Sequence, residues 1–229
     1  MHQQPTMPTT VITLHNQHPA IIALSQTDPK LARLIELIGE LTLTPSSRPY
    51  ESLVMSIISQ QLSAKAALTI KTRVQQLIPS ITPEDVLTTD EEAIRQCGVS
   101  YPKIRYIRDL STKVLSREVM LDQLQDVDTT ELLKQLTSVK GIGIWTAEMF
   151  LIFALGRPDI LSLGDAGLQR AARWLHALPE RPDKNYLSLA AEGWAPYRSF
   201  ASLYLWRAID TGLVDSGLPV DACEKPLQV

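Results

Sequence analysis

The strongest constraint on the fold of this chain is the stretch of residues 139–165, which reads VKGIGIWTAEMFLIFALGRPDILSLGD. Gly141 and Gly143 bracket one isoleucine and predict a tight hairpin, whose backbone amides a ligand can approach without obstruction by a Cβ atom. The apolar run that follows predicts a buried helix. The hairpin amides would then lie at a helix start, where unpaired N–H groups and the helix dipole favour an anion such as a phosphate.

A carboxylate ends this stretch. Asp165 follows Gly164 and is placed to cap a helix that begins at Ala166. In an arbitrary protein, an aspartate after glycine is usually a helix cap and nothing more. Close behind a phosphate-binding hairpin, it also indicates chemistry on a nucleic acid. The two interpretations are compatible, because a cap also orients the carboxylate.

Composition excludes several classes of protein. The chain has 229 residues, 45% hydrophobic and 21% charged, which is typical of a globular protein with a substantial core. The net charge of −3 gives no global basic signal, although nucleic-acid binding depends on a local patch rather than the sum. Cys97 and Cys223 are too few for a disulfide framework or a four-cysteine iron–sulfur cluster.

Neither targeting nor membrane insertion is indicated. The start of the chain has no basic segment followed by a signal-like apolar core. The longest apolar run, residues 149–155, is far too short to span a bilayer. We therefore expect a soluble intracellular protein.

Helical spacing of apolar residues recurs along the chain, for example at Leu31, Leu34, Ile35 and Ile38. Capping signals precede these segments, and the clearest are Asp28, Ser63 and Asp128. A short extended piece is predicted at residues 11–14, but no alternating series of strands is present. The pattern predicts an all-α protein.

Five segments together resemble the helix-hairpin-helix DNA glycosylases, and among them the 3-methyladenine DNA glycosylase II type. They are DPKLARLIE, SIISQQLSAKAA, GVSYPKIRYIRDL, the stretch of residues 139–165, and WAPYRSFASLYLW. A lone GxG would be weak evidence, but these features in this order are specific. They extend over about residues 18–210. The chain is expected to be a short form that lacks the N-terminal β domain of larger bacterial members.

The resemblance implies two helical lobes with a DNA-binding cleft between them. Residues 18–50 and 161–211 would form the first lobe, and residues 51–160 the second lobe, which ends in the helix-hairpin-helix. Residues 1–17 would be a flexible arm and residues 212–229 a tail.

The resemblance also implies an enzymatic role for Asp165. Cleavage of an N-glycosidic bond builds positive charge on the deoxyribose, and a nearby carboxylate stabilises that state or activates water. Bifunctional relatives carry a lysine two residues after the second hairpin glycine. Trp145 occupies that position here, so no Schiff base can form by the family route and a monofunctional enzyme is expected.

Three side chains are expected to line the base pocket, where a cationic alkylated base would stack on an indole face. They are Trp145, Met149 and Trp206. From periodicity alone, core packing explains the two tryptophans at least as well. Gln61 matches the residue that fills the gap left by a flipped nucleotide, and Leu62 is the alternative if the turn is shifted by one.

The hairpin is expected to bind DNA phosphates through the amides of Gly141 and Gly143, with Lys140 adding a charge contact. In relatives, three backbone carbonyls hold a monovalent cation, Na⁺ or K⁺, and they match Thr137, Val139 and Ile142. No cofactor is expected for catalysis. The four-cysteine iron–sulfur loop of the endonuclease III branch is not in the sequence.

The sequence therefore predicts a monofunctional glycosylase that removes alkylated bases, such as 3-methyladenine and 7-methylguanine, from double-stranded DNA. It is expected to act as a monomer without a membrane, in the bacterial cytoplasm or, in a eukaryote, in the nucleus. Two alternatives stay open: a noncatalytic helix-hairpin-helix DNA-binding module, and an oxidised-base glycosylase with lyase activity. The lesion range does not follow from the sequence.

Overall fold

The computed structural model describes residues 10–121, 124, 127–178 and 184–225. Residues 1–9 of the predicted N-terminal arm lie outside these ranges. The elements in chain order are β1 (Ile12–Leu14), α1 (Pro19–Thr27), α2 (Pro29–Ile38), β2 (Leu41–Leu43), α3 (Pro49–Ser59), α4 (Ala64–Leu77), α5 (Pro83–Thr88), α6 (Glu91–Gln96), α7 (Tyr101–Leu115), α8 (Thr129–Thr137), α9 (Ile144–Met149), a π-helical turn (Phe150–Ala154), α10 (Ala166–Leu175), α11 (Lys184–Ala190), α12 (Arg198–Asp210) and a 3₁₀ turn (Val220–Ala222). Helices dominate the described residues, which confirms the all-α prediction.

Side chains at the predicted caps set the starts of the helices. The Asp28 carboxylate accepts the N–H groups of Lys30 at 3.0 Å and Leu31 at 3.1 Å, at the start of α2. The Ser63 hydroxyl accepts the Ala66 N–H at 3.3 Å at the start of α4. Each cap satisfies donors that the helix itself leaves unpaired, so local sequence fixes where these helices begin.

A two-stranded sheet accompanies the helices. β1 and β2 pair antiparallel, with Ile12 opposite Leu43 and Leu14 opposite Leu41. The structure confirms the predicted extended piece at β1, whereas β2 was not predicted. A strand of three residues shows too little alternation to be recognised in a sequence.

The described chain forms two compact units. The first, called the hairpin lobe, is Ser46–Phe150. Helices α3 and α5 pack against α7, and α8 packs against α9. The core of this lobe is aliphatic, and its most deeply buried members include Leu53, Ile57, Ile104, Leu110, Leu132 and Leu136.

The second unit, called the aspartate lobe, contains Thr10–Pro45 and the chain from Leu151 onward. Its core lies among α1, α2, α10 and α12, and Trp194 and Tyr204 are its largest fully buried side chains. Val220 and Cys223 also belong to this core, although the sequence around them has no helical periodicity. No helix in the described part of the chain is long and apolar enough to cross a membrane.

Candidate functional site

The hairpin between α8 and α9, residues 138–143, depends on one glycine for its conformation. Gly141 has a φ of +81°, in the left-handed region that favours glycine. A Cβ atom added there would overlap the ring of Tyr106 on α7. The side chains of Val139 and Ile142 are buried and anchor the turn in the core of the lobe. The hairpin is therefore a rigid turn.

Gly143 has a different role, because it leaves space open. Its φ of −84° is accessible to any residue, and an added Cβ would have no neighbour within 4 Å. It is the N-cap of α9, and no side chain caps that helix. The start of α9 thus combines amides without a capping side chain and an unobstructed approach. These are the properties that bind an anion.

Only part of the hairpin is available to a ligand. Lys140 is exposed, but its backbone N–H donates to the Asp109 carboxylate at 2.9 Å. The Val139 carbonyl accepts the Ile142 N–H at 3.1 Å. Any phosphate contact of Lys140 must therefore come from its ammonium group, and the amides of Gly141 and Gly143 are the better backbone candidates.

The turn after α3, residues 60–62, approaches this hairpin within the same lobe. Gln61 has a φ of +57°, which is uncommon for a residue with a side chain. Leu62 is 37% exposed, and Gln61 is exposed as well. The amide nitrogen Nε2 of Gln60 donates to the Gly141 carbonyl at 2.9 Å. Both candidates for the intercalating residue are therefore presented to solvent from a turn bonded to the hairpin.

Trp145 and Met149 lie on α9, one helical turn apart. The indole of Trp145 is 51% exposed, whereas Met149 is half-buried. The first turn of α9 is therefore exposed, contrary to the buried helix expected from the apolar sequence. Burial begins at Thr146. A large aromatic side chain held out at a helix start is available to contact a ligand.

In the aspartate lobe, Asp165 caps α10, as predicted. Its Oδ1 accepts the Leu168 N–H at 2.7 Å and the indole N–H of Trp206 at 3.2 Å. Trp206 lies on α12, so two helices hold the same carboxylate. Gly167 leaves room beside the carboxylate, since an added Cβ would lie 3.2 Å from Asp165 Oδ1 and 3.3 Å from the Ile209 side chain, and both would have to shift slightly.

Phe153 joins this group and was not predicted. Its ring centroid lies 5.5 Å from that of Trp206, with 34° between the planes, and the side chain is 43% exposed. It belongs to the π-helical turn, a feature often found at functional sites. In the sequence Phe153 is one member of an apolar run. The local change in helical pitch that determines its direction leaves no signal there.

The loop leading to Asp165 is fixed by α12. The Arg198 guanidinium donates two hydrogen bonds to the Asp159 carboxylate, both at 2.6 Å. These hydrogen bonds hold the pKa of Asp159 below its usual value, although burial acts in the opposite direction. The Ser199 hydroxyl accepts the Ile160 N–H at 2.8 Å. The start of the segment before α10 is thus tied to α12, while its other end is held by the Asp165 cap.

The part of the chain that the structure describes shows no set of side chains suited to bind a catalytic metal ion. Those residues contain no group of three or more His, Cys, Asp or Glu side chains that could hold a metal ion. The reactive group that the geometry offers is the oriented Asp165 carboxylate with aromatic side chains beside it.

Comparison with known proteins gives a consistent family. Residues 54–196 match the model of the HhH-GPD superfamily of base excision DNA repair proteins. DNA-3-methyladenine glycosylase 1 of Schizosaccharomyces pombe is 36% identical over 208 residues, which cover 88% of this chain and 90% of that protein.

Two solved structures extend the similarity to the fold. A DNA-3-methyladenine glycosidase from Bacillus halodurans has a TM-score of 0.85 and 40% identity, and the match covers 92% of this chain and 97% of that one. The S. pombe 3-methyladenine DNA glycosylase, solved in complex with abasic DNA, has a TM-score of 0.73 and 34% identity over 86% of this chain and 97% of that one. The similarity therefore includes residues of both lobes.

Proposed function

Because the chain belongs to the HhH-GPD superfamily of base excision DNA repair proteins, we propose that it is a monofunctional DNA glycosylase. It hydrolyses the N-glycosidic bond of alkylated bases, such as 3-methyladenine and 7-methylguanine, in double-stranded DNA. The observation that carries the proposal is the Asp165 carboxylate, which α10 and Trp206 hold by two hydrogen bonds to Oδ1. Relatives named DNA-3-methyladenine glycosylase support the choice of substrate.

Asp165 is the catalytic residue of this mechanism. As the bond between sugar and base breaks, positive charge develops on the deoxyribose, and the carboxylate stabilises it or activates the attacking water. A group that is already oriented needs no rearrangement during the reaction. The hydrogen bonds from Leu168 and Trp206 supply that orientation.

Aromatic side chains select the base. Trp145, Trp206 and Phe153 offer aromatic faces to an electron-poor, cationic base, and Met149 lies one turn from Trp145. A cation over an indole face gains about 0.5–2 kcal/mol. Since residue 145 is not a lysine, no amine at this position forms a Schiff base, and the product is an intact abasic strand.

The hairpin lobe binds the DNA and extrudes the base. The amides of Gly141 and Gly143 bind phosphate, and the Lys140 ammonium adds a charge contact. Extrusion of a base costs a few kcal/mol, and Gln61 or Leu62 offsets part of that cost by filling the gap in the stack. The exposure of both side chains on the turn of residues 60–62 supports this role.

We also propose a monovalent cation, Na⁺ or K⁺, at the hairpin carbonyls. The Ser138 carbonyl already accepts the ammonium of Lys113, so the turn presents oxygen to positive charge. The Val139 carbonyl retains a second lone pair beyond its bond to the Ile142 N–H. Carbonyls of Thr137, Val139 and Ile142 would hold the ion, which would neutralise part of a phosphate charge. Catalysis itself uses no cofactor.

We place the reaction on duplex DNA containing alkylated bases, with the protein acting as a monomer. The compartment is the bacterial cytoplasm, next to the nucleoid, or the nucleus in a eukaryote. The relative solved with abasic DNA supports the choice of DNA as partner.

The test is to incubate the protein with duplex DNA carrying N-methylated purines and to score abasic sites. The proposal predicts free alkylated base and abasic sites, with no strand cleavage by the enzyme. Binding without base release would instead indicate a noncatalytic hairpin module. A covalent adduct after borohydride treatment would indicate a lyase and contradict the role given to Trp145.

A further inference from the structure

One face of helix α7 contacts both DNA-binding candidates of the hairpin lobe. Lys103, Tyr106, Asp109 and Lys113 follow each other at intervals of three or four residues, so they lie on one side of the helix. We call this set the α7 stripe. The turn of residues 60–62 lies at one end of the stripe, and the hairpin lies at the other.

Lys103 holds the turn. Its ammonium donates to the carbonyls of Ile58 at 2.8 Å and Gln60 at 2.7 Å. These oxygens belong to the carboxyl end of α3, where the helix leaves carbonyls unpaired and the dipole favours a cation. Gln61, with its positive φ, comes immediately after the carbonyl that Lys103 binds. Lys103 thus stabilises the backbone that presents Gln61 and Leu62.

The rest of the stripe holds the hairpin. The ring of Tyr106 occupies the space that a Cβ of Gly141 would need. Asp109 accepts the Lys140 N–H at 2.9 Å and forms an ion pair with Lys113 at 3.6 Å. The ammonium of Lys113 donates to the Ser138 carbonyl. Three contacts, from Tyr106, Asp109 and Lys113, therefore fix the hairpin backbone relative to α7.

A direct hydrogen bond also joins the turn of residues 60–62 to the hairpin. Gln60 Nε2 donates to the Gly141 carbonyl at 2.9 Å, while the Gln60 carbonyl accepts from Lys103. One residue therefore bonds to the hairpin through its side chain and to α7 through its backbone. The turn and the hairpin are held at a fixed separation along the helix.

From this juxtaposition we infer that the α7 stripe sets the spacing between the intercalating turn and the phosphate-binding hairpin, with Lys103 and Gln60 as positioning residues for base extrusion. The inference depends on the proposed function. An intercalating side chain offsets the cost of unstacking only if it reaches the base stack while the hairpin holds the backbone. A loosened turn therefore weakens extrusion while the Asp165 carboxylate stays unchanged.

The test compares Lys103→Met and Gln60→Ala with the wild type on two duplexes. One carries a lesion opposite its normal partner, and the other carries the same lesion opposite a mismatched base, which is already easier to extrude. Single-turnover excision should fall about tenfold or more on the paired lesion and about threefold or less on the mismatched one. Lys103→Arg keeps the cation and should restore most of the paired rate. Arg105→Met, at an exposed position of the same helix, removes a charge outside the stripe and should leave both rates unchanged.

Equal losses on the two duplexes would overturn the inference, as would no loss on either. A 2-aminopurine next to the lesion reports unstacking without hydrolysis, and its fluorescence should rise less with Lys103→Met than with wild type. Equal fluorescence for the two proteins would also count against the inference. A wild type that unstacks DNA but releases no base would end the proposed function and leave the positioning role standing. Thermal melting of Gln60→Ala, which loses one hydrogen bond from a half-buried side chain, should stay close to that of the wild type.

Discussion

Helices α9 and α10 begin in opposite ways, and this difference underlies the division between DNA binding and chemistry that we propose. At the start of α9 the N-cap is Gly143, and no side chain caps the amides. At the start of α10, Asp165 supplies a carboxylate that accepts the Leu168 N–H at 2.7 Å. One helix start leaves room for an anion from a ligand, whereas the other carries its own anion. We propose that the amide dipoles favour a phosphate at the start of α9, whereas at the start of α10 they orient the Asp165 carboxylate.

The supports of the two sites differ accordingly. Besides the buried side chains of Val139 and Ile142, bonds from Asp109, Lys113 and Gln60 to its backbone hold the hairpin. Asp165 is held through its side chain, by the Trp206 indole. A backbone site tolerates changes of side chain but not of conformation. A side-chain site depends on the identity of one residue.

Asp165→Asn gives the largest expected effect. Asparagine is also a good N-cap, so α10 should keep its start and the protein its melting temperature. Base release should fall about 10³-fold, because the negative charge beside the developing oxocarbenium ion is lost. Single-turnover excision of a methylated base measures this fall in rate. The affinity for DNA is the control and should stay unchanged. Activity near wild type would remove Asp165 from the mechanism.

Gly141→Ala should have the next largest effect, through DNA binding. The substitution combines an unfavourable φ of +81° with a clash against Tyr106, and such strain costs about 1–3 kcal/mol. A loss of about 1.4 kcal/mol in binding free energy weakens affinity tenfold. The affinity for duplex DNA should therefore fall about tenfold. A fluorescence titration with an undamaged duplex measures the change.

Gly143→Ala is the matched control for conformation. Since φ there is −84° and the space is open, it should fold and melt like the wild type. If this variant binds DNA more weakly, the cause would be the added Cβ atom, which obstructs the approach of a phosphate to the amides at the start of α9. If Gly143→Ala destabilised the fold as much as Gly141→Ala, the distinction between the two glycines would be wrong.

Trp206→Phe should reduce catalysis moderately. Phenylalanine keeps an aromatic ring near Phe153 but cannot donate to Asp165 Oδ1. The loss of one hydrogen bond to a charged group, about 1.5–3 kcal/mol at most, predicts a fall in kcat of about tenfold. The rate at saturating DNA measures it. A change confined to KM would show that Trp206 acts only through base contact.

The smallest effect concerns the far end of α10. Its C-cap His176 donates through Nε2 to Asp28 Oδ2 at 3.1 Å, and the Trp194 indole donates to the same oxygen at 2.9 Å. Burial alone would raise the pKa of Asp28, but hydrogen bonds from His176, the Leu31 N–H and Trp194 outweigh it and lower the pKa from 3.8 to about 2. Such a shift contributes about 2 kcal/mol of stability above about pH 4, which is lost as the pH falls toward 2.

Urea unfolding of wild type and Asp28→Asn between about pH 5 and about pH 2 tests this contribution. Asparagine keeps the cap of α2, so the two proteins should differ most at the upper end of the range and converge at the lower end. A difference that does not change with pH would assign the stability to packing rather than to the charge. Excision by Asp28→Asn near neutral pH should stay close to wild type.

Much of the fold follows from local sequence. Asp28, Ser63 and Asp165 each have extended backbone angles immediately before a helix. The side chain of each accepts an N–H group from the first turn of that helix. Local signals of this kind act over three or four residues and are therefore visible in a sequence. The strand β2 is not recognisable in the sequence, because its pairing partner β1 lies about thirty residues away along the chain.

The site was predictable in type but not in contacts. The glycines and Asp165 carry local conformational signals. The Trp206–Asp165 hydrogen bond, the Phe153–Trp206 contact and the Lys103 bonds to α3 join residues far apart in sequence, so no spacing rule reveals them. Only the folded arrangement shows which of many apolar or charged residues has a functional neighbour.

We propose that the start of α9 binds DNA and that the Asp165 cap of α10 performs the chemistry. Single-turnover excision of a methylated base, measured against enzyme concentration for Asp165→Asn and Gly141→Ala, tests it most directly. We expect Asp165→Asn to lower the rate at saturation with an unchanged half-saturating concentration, whereas Gly141→Ala should raise that concentration and largely keep the rate. If both variants changed the same parameter, the division of labour between the two helix starts would be contradicted.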